Sequence, residues 1–188
     1  VRAGSPEGRA RDLSPCGGGV TIDAAAGVVE LEPGYALDLG GIAKGYAADS
    51  ACRLLAAAGP CLVSAGGDIA ASGPPAAGNW PVGVETACGP LILALTEGGL
   101  ATSGTDGRRW RRNGREFHHL IDPRTSRSAE TDLLRVTVAA AAAVDAEVDA
   151  KTLLLAGERS ARAAAERRDL QAVLITIDGR TLLTGGLR

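Results

Sequence analysis

Glycine and proline divide this chain so finely that only three stretches are long enough for helices; the rest must fold as short strands and turns. Its 26 glycines and 9 prolines bound apolar runs at 61–65, 69–72, 80–85, 91–96 and 100–103, the pattern of strands closed by turns. Strands over 108–111 and 115–120 flank Asn113-Gly114, a dipeptide suited to a tight hairpin, and another strand spans 134–140. The spacing of Ala43, Ala47, Leu54, Leu55 and Ala58 predicts a helix over 42–58 that Gly59-Pro60 stops. An alanine-rich stretch predicts a second helix over 141–156, ended by Gly157, and a third is expected over 160–168 with Ser160 as its cap. Hairpins at 20–31 and 171–183 open and close the ordered chain, and residues 1–19, rich in Gly, Arg, Pro and Ser, read as a flexible or truncated segment. This order of elements predicts a single α+β domain over 20–188, a mostly antiparallel sheet with flanking helices.

Bulk properties narrow the partners. Lys+Arg 20 against Asp+Glu 22 leaves a net charge of −2, so no basic field favours nucleic acid, and 3% aromatic content offers few platforms for stacked bases. Apolar residues make up 45% of the chain, enough for a core, yet no run approaches the roughly 18 apolar residues of a membrane span. No signal sequence is present in the chain, which favours the cytoplasm. With Val1 at its start and no methionine, the chain is expected to lack its native N-terminus, and any export signal with it. Cys16, Cys52, Cys61 and Cys88 form no CxxC pair; they suggest neither a zinc site nor a disulfide framework and read as small buried residues.

Four places collect groups able to do chemistry. In Leu37 to Asp49, extended residues reach Gly40-Gly41, where positive φ and close backbone approach are available, and a helix then begins beside Lys44. First-turn N–H groups and a lysine suit an anion such as a phosphate, although a Gly-Gly before a helix also makes an ordinary turn. Gly66-Gly67-Asp68 ends an apolar strand with bare backbone and a carboxylate, and Thr102-Ser103 ends another with two hydroxyls. Both histidines lie in Phe117-His118-His119-Leu120-Ile121-Asp122-Pro123-Arg124-Thr125-Ser126. Strand alternation puts His118 and His119 on opposite faces, so one of them can enter a given site, with Asp122 as a plausible orienter. On the second helix Glu147 and Lys151 are four apart and share a face, as a surface ion pair or as the lining of a site.

Taken in order, DLGGIAKGYAAD, SAGGDIAASG, ATSG, HHLIDPRTS and a VTV strand before a helix ending LLLAG, the chain resembles the ApbE-like FAD:protein FMN transferases across residues 37–157. The resemblance implies a T-fold-related architecture with the N-terminal part of the family domain missing. It also implies FAD as substrate, release of AMP, and attachment of FMN to a threonine of an acceptor protein, typically with magnesium. On this likeness Gly41, Ala43 and Lys44 belong to the FAD and metal region, Gly66, Gly67 and Asp68 to a flavin-contacting turn, and Thr102 and Ser103 to another ligand turn. His119 and Asp122 are the expected catalytic residues, and Arg124 and Thr125 of the same motif, with Lys151, are expected to contact the cofactor. The family's metal ligands, a carbonyl, an Asp and a Thr, fall on Ala43, Glu147 and Lys151. Lysine in place of the hydroxyl implies weakened magnesium dependence, with Lys151 replacing the ion. Ser126 stands where the family has glycine, a change expected to tighten the turn. An FAD-binding protein without transferase activity and an FAD pyrophosphate hydrolase are the alternatives.

Overall fold

The computed structural model describes residues 19–187; the expected N-terminal segment, Gly19 apart, lies outside the described residues. The chain opens with a hairpin, β1 (Val20–Asp23) and β2 (Val28–Leu31), exposed along both strands. Helix α1 (Ala43–Leu55) follows and runs through a 3-10 turn (Ala56–Ala58) to Gly59, where the expected helix stops. Next come the hairpins β3 (Cys61–Ala65) with β4 (Asp68–Ser72) and β5 (Trp80–Thr86) with β6 (Gly89–Leu95), then β7 (Gly98–Gly104). Strands β8 (Arg109–Arg112) and β9 (Arg115–His118) flank the Asn113-Gly114 turn. A small hairpin that the sequence reading missed, β10 (Ile121–Asp122) with β11 (Arg127–Ser128), shortens the strand expected to reach residue 120. Strand β12 (Leu133–Ala140), helices α2 (Ala143–Ala156) and α3 (Glu158–Arg167), and strands β13 (Gln171–Thr176) and β14 (Thr181–Leu183) complete the chain.

The central sheet has six antiparallel strands in the order β14-β13-β12-β7-β4-β3. Alternation along it sends successive side chains to opposite faces. Ala172 and Leu174 of β13 join Val136 and Val138 of β12 against Ala150, Leu153 and Leu154 of α2, whereas Val173 and Ile175 pack with Val84 of β5. The sheet is therefore sandwiched between helices and the β5–β6 ribbon. Each fully buried leucine at 133, 153, 154 and 174 contributes about 1.5–3 kcal/mol by burial. No described helix is long and apolar enough to cross a membrane.

Helices α1 and α2 approach through glycine and alanine. A Cβ on Gly45 would lie 2.6 Å from the Ala143 carbonyl oxygen, so the helices meet there backbone to backbone. Each then supplies a carboxylate to the other's N-terminal N–H groups, where orphan donors and the helix dipole both favour an anion. Asp49 of α1 accepts from Ala143 N–H at 2.9 Å and Val144 N–H at 3.0 Å, and Glu147 of α2 accepts from Gly45 N–H at 2.9 Å. Helix α3 begins two residues before the expected Ser160, because Asp132 Oδ1 accepts from Glu158 N–H at 2.7 Å and caps the helix from outside.

Candidate active site

The start of α1 works differently from the anion cradle that its sequence suggests. Neither Gly40 nor Gly41 is among the positive-φ residues. Gly40 N–H donates to Asp38 Oδ1, Ala43 N–H donates to the Leu39 carbonyl, and Gly45 N–H is taken by Glu147. The helix start thus holds the protein's own carboxylate, and the positive charge beside it comes from side chains.

Those side chains form a buried cluster. Lys44 Nζ donates to Asp68 Oδ2 at 2.6 Å and lies 3.7 Å from Glu147 Oε1, while Lys151 Nζ lies 3.6 Å from the same oxygen and donates to the Gly41 carbonyl at 3.3 Å. Both carboxylate side chains are at most 2% exposed, against 38% for Lys44 and 26% for Lys151, so the ammonium groups form the wetted surface of the cluster. Glu147 Oε1 is buried and has no hydrogen-bond partner among the described residues. Burial pushes the Asp68 carboxyl above its ordinary value despite the opposing pull of Lys44. Asp68 is set there by the Gly66-Gly67 turn, whose φ values of 62° and 98° suit the tight two-residue link between paired Ala65 and Asp68.

Above the cluster opens a cavity of about 330 Å³. Its lining joins Lys44, Lys151 and Glu147 to Gly66, to Thr102 and Ser103 at the end of β7, and to His119. The two histidines separate cleanly. His118 is structural: its Nε2 lies 2.9 Å from the Ala129 carbonyl and its Nδ1 accepts from Leu120 N–H. His119 faces the cavity, and burial first, then Arg108, His118 and the two lysines, hold its pKa below the ordinary histidine value. Arg108, Asp106 and Arg135 also line the cavity. The sequence reading placed Arg108 in a strand and missed all three as site residues; they carry no motif and meet the site only through the fold. Arg135 is tied to Asp106 at 2.6 Å, whereas no carboxylate pairs with Arg108 among the described residues.

Asp122, Arg124 and Thr125 lie outside this lining. The Asp122 carboxylate is bound by Arg124 through its Nε, Nη2 and backbone N–H, which holds its pKa down, and no hydrogen bond joins it to His119 among the described residues. The base-and-orienter pairing is not made, because the β10–β11 hairpin turns Asp122 onto its own loop. Ser126, where the resemblance implies glycine, adopts φ 57°, a left-handed conformation that glycine adopts at no steric cost. Ala43 opens α1, Gly41 contributes its carbonyl to Lys151, and Gly67 completes the turn before Asp68.

As a magnesium site the cluster fits poorly. Magnesium is held by oxygen ligands, but the unpartnered Glu147 oxygen is flanked by two ammonium groups, and no three His, Cys, Asp or Glu side chains converge among the described residues.

The sequence matches the ApbE family over residues 9–174. The chain belongs to the ApbE family. An FAD:protein FMN transferase of Treponema pallidum (strain Nichols) is 33% identical over 186 residues, covering 90% of this chain and 51% of that protein. Its counterpart in Escherichia coli (strain K12) is 30% identical over 160 residues, covering 81% and 46%. The ApbE crystal structure from Thermotoga maritima superposes with a TM-score of 0.77 at 28% identity, covering 88% of this chain and 57% of that one. The apo flavinyl transferase ApbE of Pseudomonas stutzeri gives 0.76 at 28% identity, covering 88% and 54%. This ApbE-family chain thus spans about half the length of the relatives it matches, and its antiparallel sheet with flanking helices is the family fold.

Proposed function

We propose that this chain carries the phosphoryl-transfer half of an FAD:protein FMN transferase site. The observation that supports it is the cavity that brings His119 together with two lysine ammonium groups. A threonine hydroxyl is a poor nucleophile at neutral pH, and the pyrophosphate of FAD carries charge that must be neutralised as it is cleaved. In the proposed reaction His119 takes the proton of the acceptor threonine, whose oxygen bonds to the phosphorus on the FMN side. The phosphoanhydride bond breaks and AMP leaves with the electron pair. Lys44 and Lys151 hold the pyrophosphate oxygens, Arg108 gives a further cation at the rim, Thr102 and Ser103 offer hydroxyls, and Gly66, Gly67 and Asp68 form the flavin-side turn. Asp122, Arg124 and Thr125 act on the loop beside His119 as positioning residues.

Lys151 supplies on this reading the charge that a magnesium ion would otherwise bring, so no step depends on the ion. The test incubates the protein with FAD and a threonine-bearing acceptor, with magnesium or with a chelator, and follows acceptor mass and AMP release. An FMN-sized mass gain that survives chelation supports the reading; strict loss on chelation, rescued by magnesium, overturns the role of Lys151. His119→Ala is expected to lower transfer at least about 100-fold while FAD binding persists, and near wild-type transfer would remove His119 from the chemistry. AMP without a mass gain selects the hydrolase, and neither product selects the FAD binder.

A further inference from the structure

Two cysteines expected to be inert packing residues face each other. Cys52, in the last turn of α1, and Cys61, the first residue of β3, bring their sulfurs to 3.5 Å, and Cys61 Sγ also lies 3.4 Å from the Cys52 carbonyl oxygen. Bonded sulfurs lie about 2.0 Å apart, so the remaining approach is small enough for a side-chain adjustment. Cys52 is buried, Cys61 is half-buried and Cys88 is exposed.

We propose that Cys52 and Cys61 are a redox site that closes to a disulfide under oxidising conditions and fastens the end of α1 to the β3–β4 ribbon. The oxidant is a small-molecule disulfide such as oxidised glutathione. The Cys61 thiolate, the accessible one, attacks a sulfur of the oxidant; the oxidant's S–S bond breaks and one thiol leaves, taking a proton. Cys52 then loses its proton to water and attacks Cys61 Sγ, forming the Cys52–Cys61 bond and releasing the second thiol. Two protein thiols are oxidised and one external disulfide is reduced to two thiols. Burial, followed by the hydrogen bond with Cys61, pushes the Cys52 thiol up to about 11, so Cys52 is not the thiol that attacks the oxidant first.

The site has a consequence for the cavity. Helix α1 carries Lys44 at one end and Cys52 near the other, and β4, paired to β3, carries Asp68. A closed disulfide anchors the helix to the ribbon that holds the partner of its lysine.

The test uses a Cys16→Ser/Cys88→Ser variant, treated with oxidised glutathione or with a reductant. Expected are the loss of both titratable thiols, a mass lower by two hydrogens, and a melting temperature higher by about 5 °C or more. Trypsin separates the partners, since Cys52 falls in peptide 45–53 and Cys61 in peptide 54–108, so a linked peptide pair identifies the bond. In the wild-type chain the same linked pair, with Cys88 excluded by fragmentation, gives a reading that does not depend on the variant folding. A lasting glutathione adduct on Cys61 without ring closure, or two thiols that stay titratable in the folded protein, overturns the proposal.

Discussion

Two charged clusters of this molecule are built from the same kinds of residue and behave differently in space. Lys44, Asp68, Glu147 and Lys151 come from three separate elements and enclose two carboxylates at most 2% exposed. Asp122 and Arg124 sit two residues apart on one loop, with the arginine side chain 74% exposed. Among the described residues the first cluster leaves a buried oxygen without a hydrogen bond and two cations at a cavity; in the second the arginine covers its own carboxylate and reaches the Leu155 carbonyl of α2. An ion pair that turns inward on its own loop holds that loop, whereas one assembled across elements retains charge that a ligand can use.

The largest effect is expected from Lys44→Met, which strands the buried Asp68 carboxylate. A loss of about 2–4 kcal/mol in urea unfolding is expected, below the full cost of breaking a buried pair because Lys44 is partly wetted. Arg124→Ala, at an exposed and solvent-screened pair, is expected to cost clearly less, and equal losses at the two positions would erase the contrast. Gly45→Ala comes next, at about 1–3 kcal/mol, because the new Cβ meets the α2 backbone at 2.6 Å; an unchanged unfolding midpoint would mean the helices are not tightly apposed.

Acid should separate the clusters by sign. Asp122, whose folded pKa is lowered by Arg124, contributes stability present above its unfolded value of 3.8 and lost as pH falls through the folded one. Asp68, whose folded pKa is raised by burial, binds its proton earlier when folded, so its contribution grows as pH falls through the folded value toward 3.8. Asp122→Asn should therefore flatten the acid loss and Asp68→Asn should remove an opposing slope; matching changes from both would contradict the assignment. For His119, the acid limb of kcat/KM should fall below pH 6.5, since its folded pKa is lowered. The smallest effect is Ser126→Gly, a gain of up to about 1 kcal/mol from relieving φ 57°. A loss on thermal unfolding would show that contacts of the serine side chain outweigh the strain.

Local patterns carried most of the architecture. Gly59-Pro60, Gly157 and Asn113-Gly114 stop or turn the chain where their chemistry says they should, whereas the strand expected to alternate His118 and His119 ends at His118, and the bend beyond it, not alternation, separates the two histidines. The interactions that escaped are those between distant residues. Ser160 was a reasonable cap by type, but Asp132 is brought to the helix start by the chain before β12. The glycines before α1 suggested a phosphate cradle, and nothing local reveals that Glu147, 102 residues away, fills it. Arg108 enters the cavity through the fold around it, and the meeting of Cys52 with Cys61 depends on how α1 returns to the sheet.

The exchange of carboxylates between α1 and α2 separates two tasks that often fall to the same residues. Asp49, Glu147 and the Gly45 contact fix how the helices cross, and Lys44 and Lys151 then reach from that frame to the cavity while facing the buried Glu147 carboxylate. The charge presented to a ligand is thus set largely at position 151, where a replacement must also answer the buried Glu147 carboxylate beside it. Such a frame lets a single substitution change the kind of cation a site relies on without first dismantling the site.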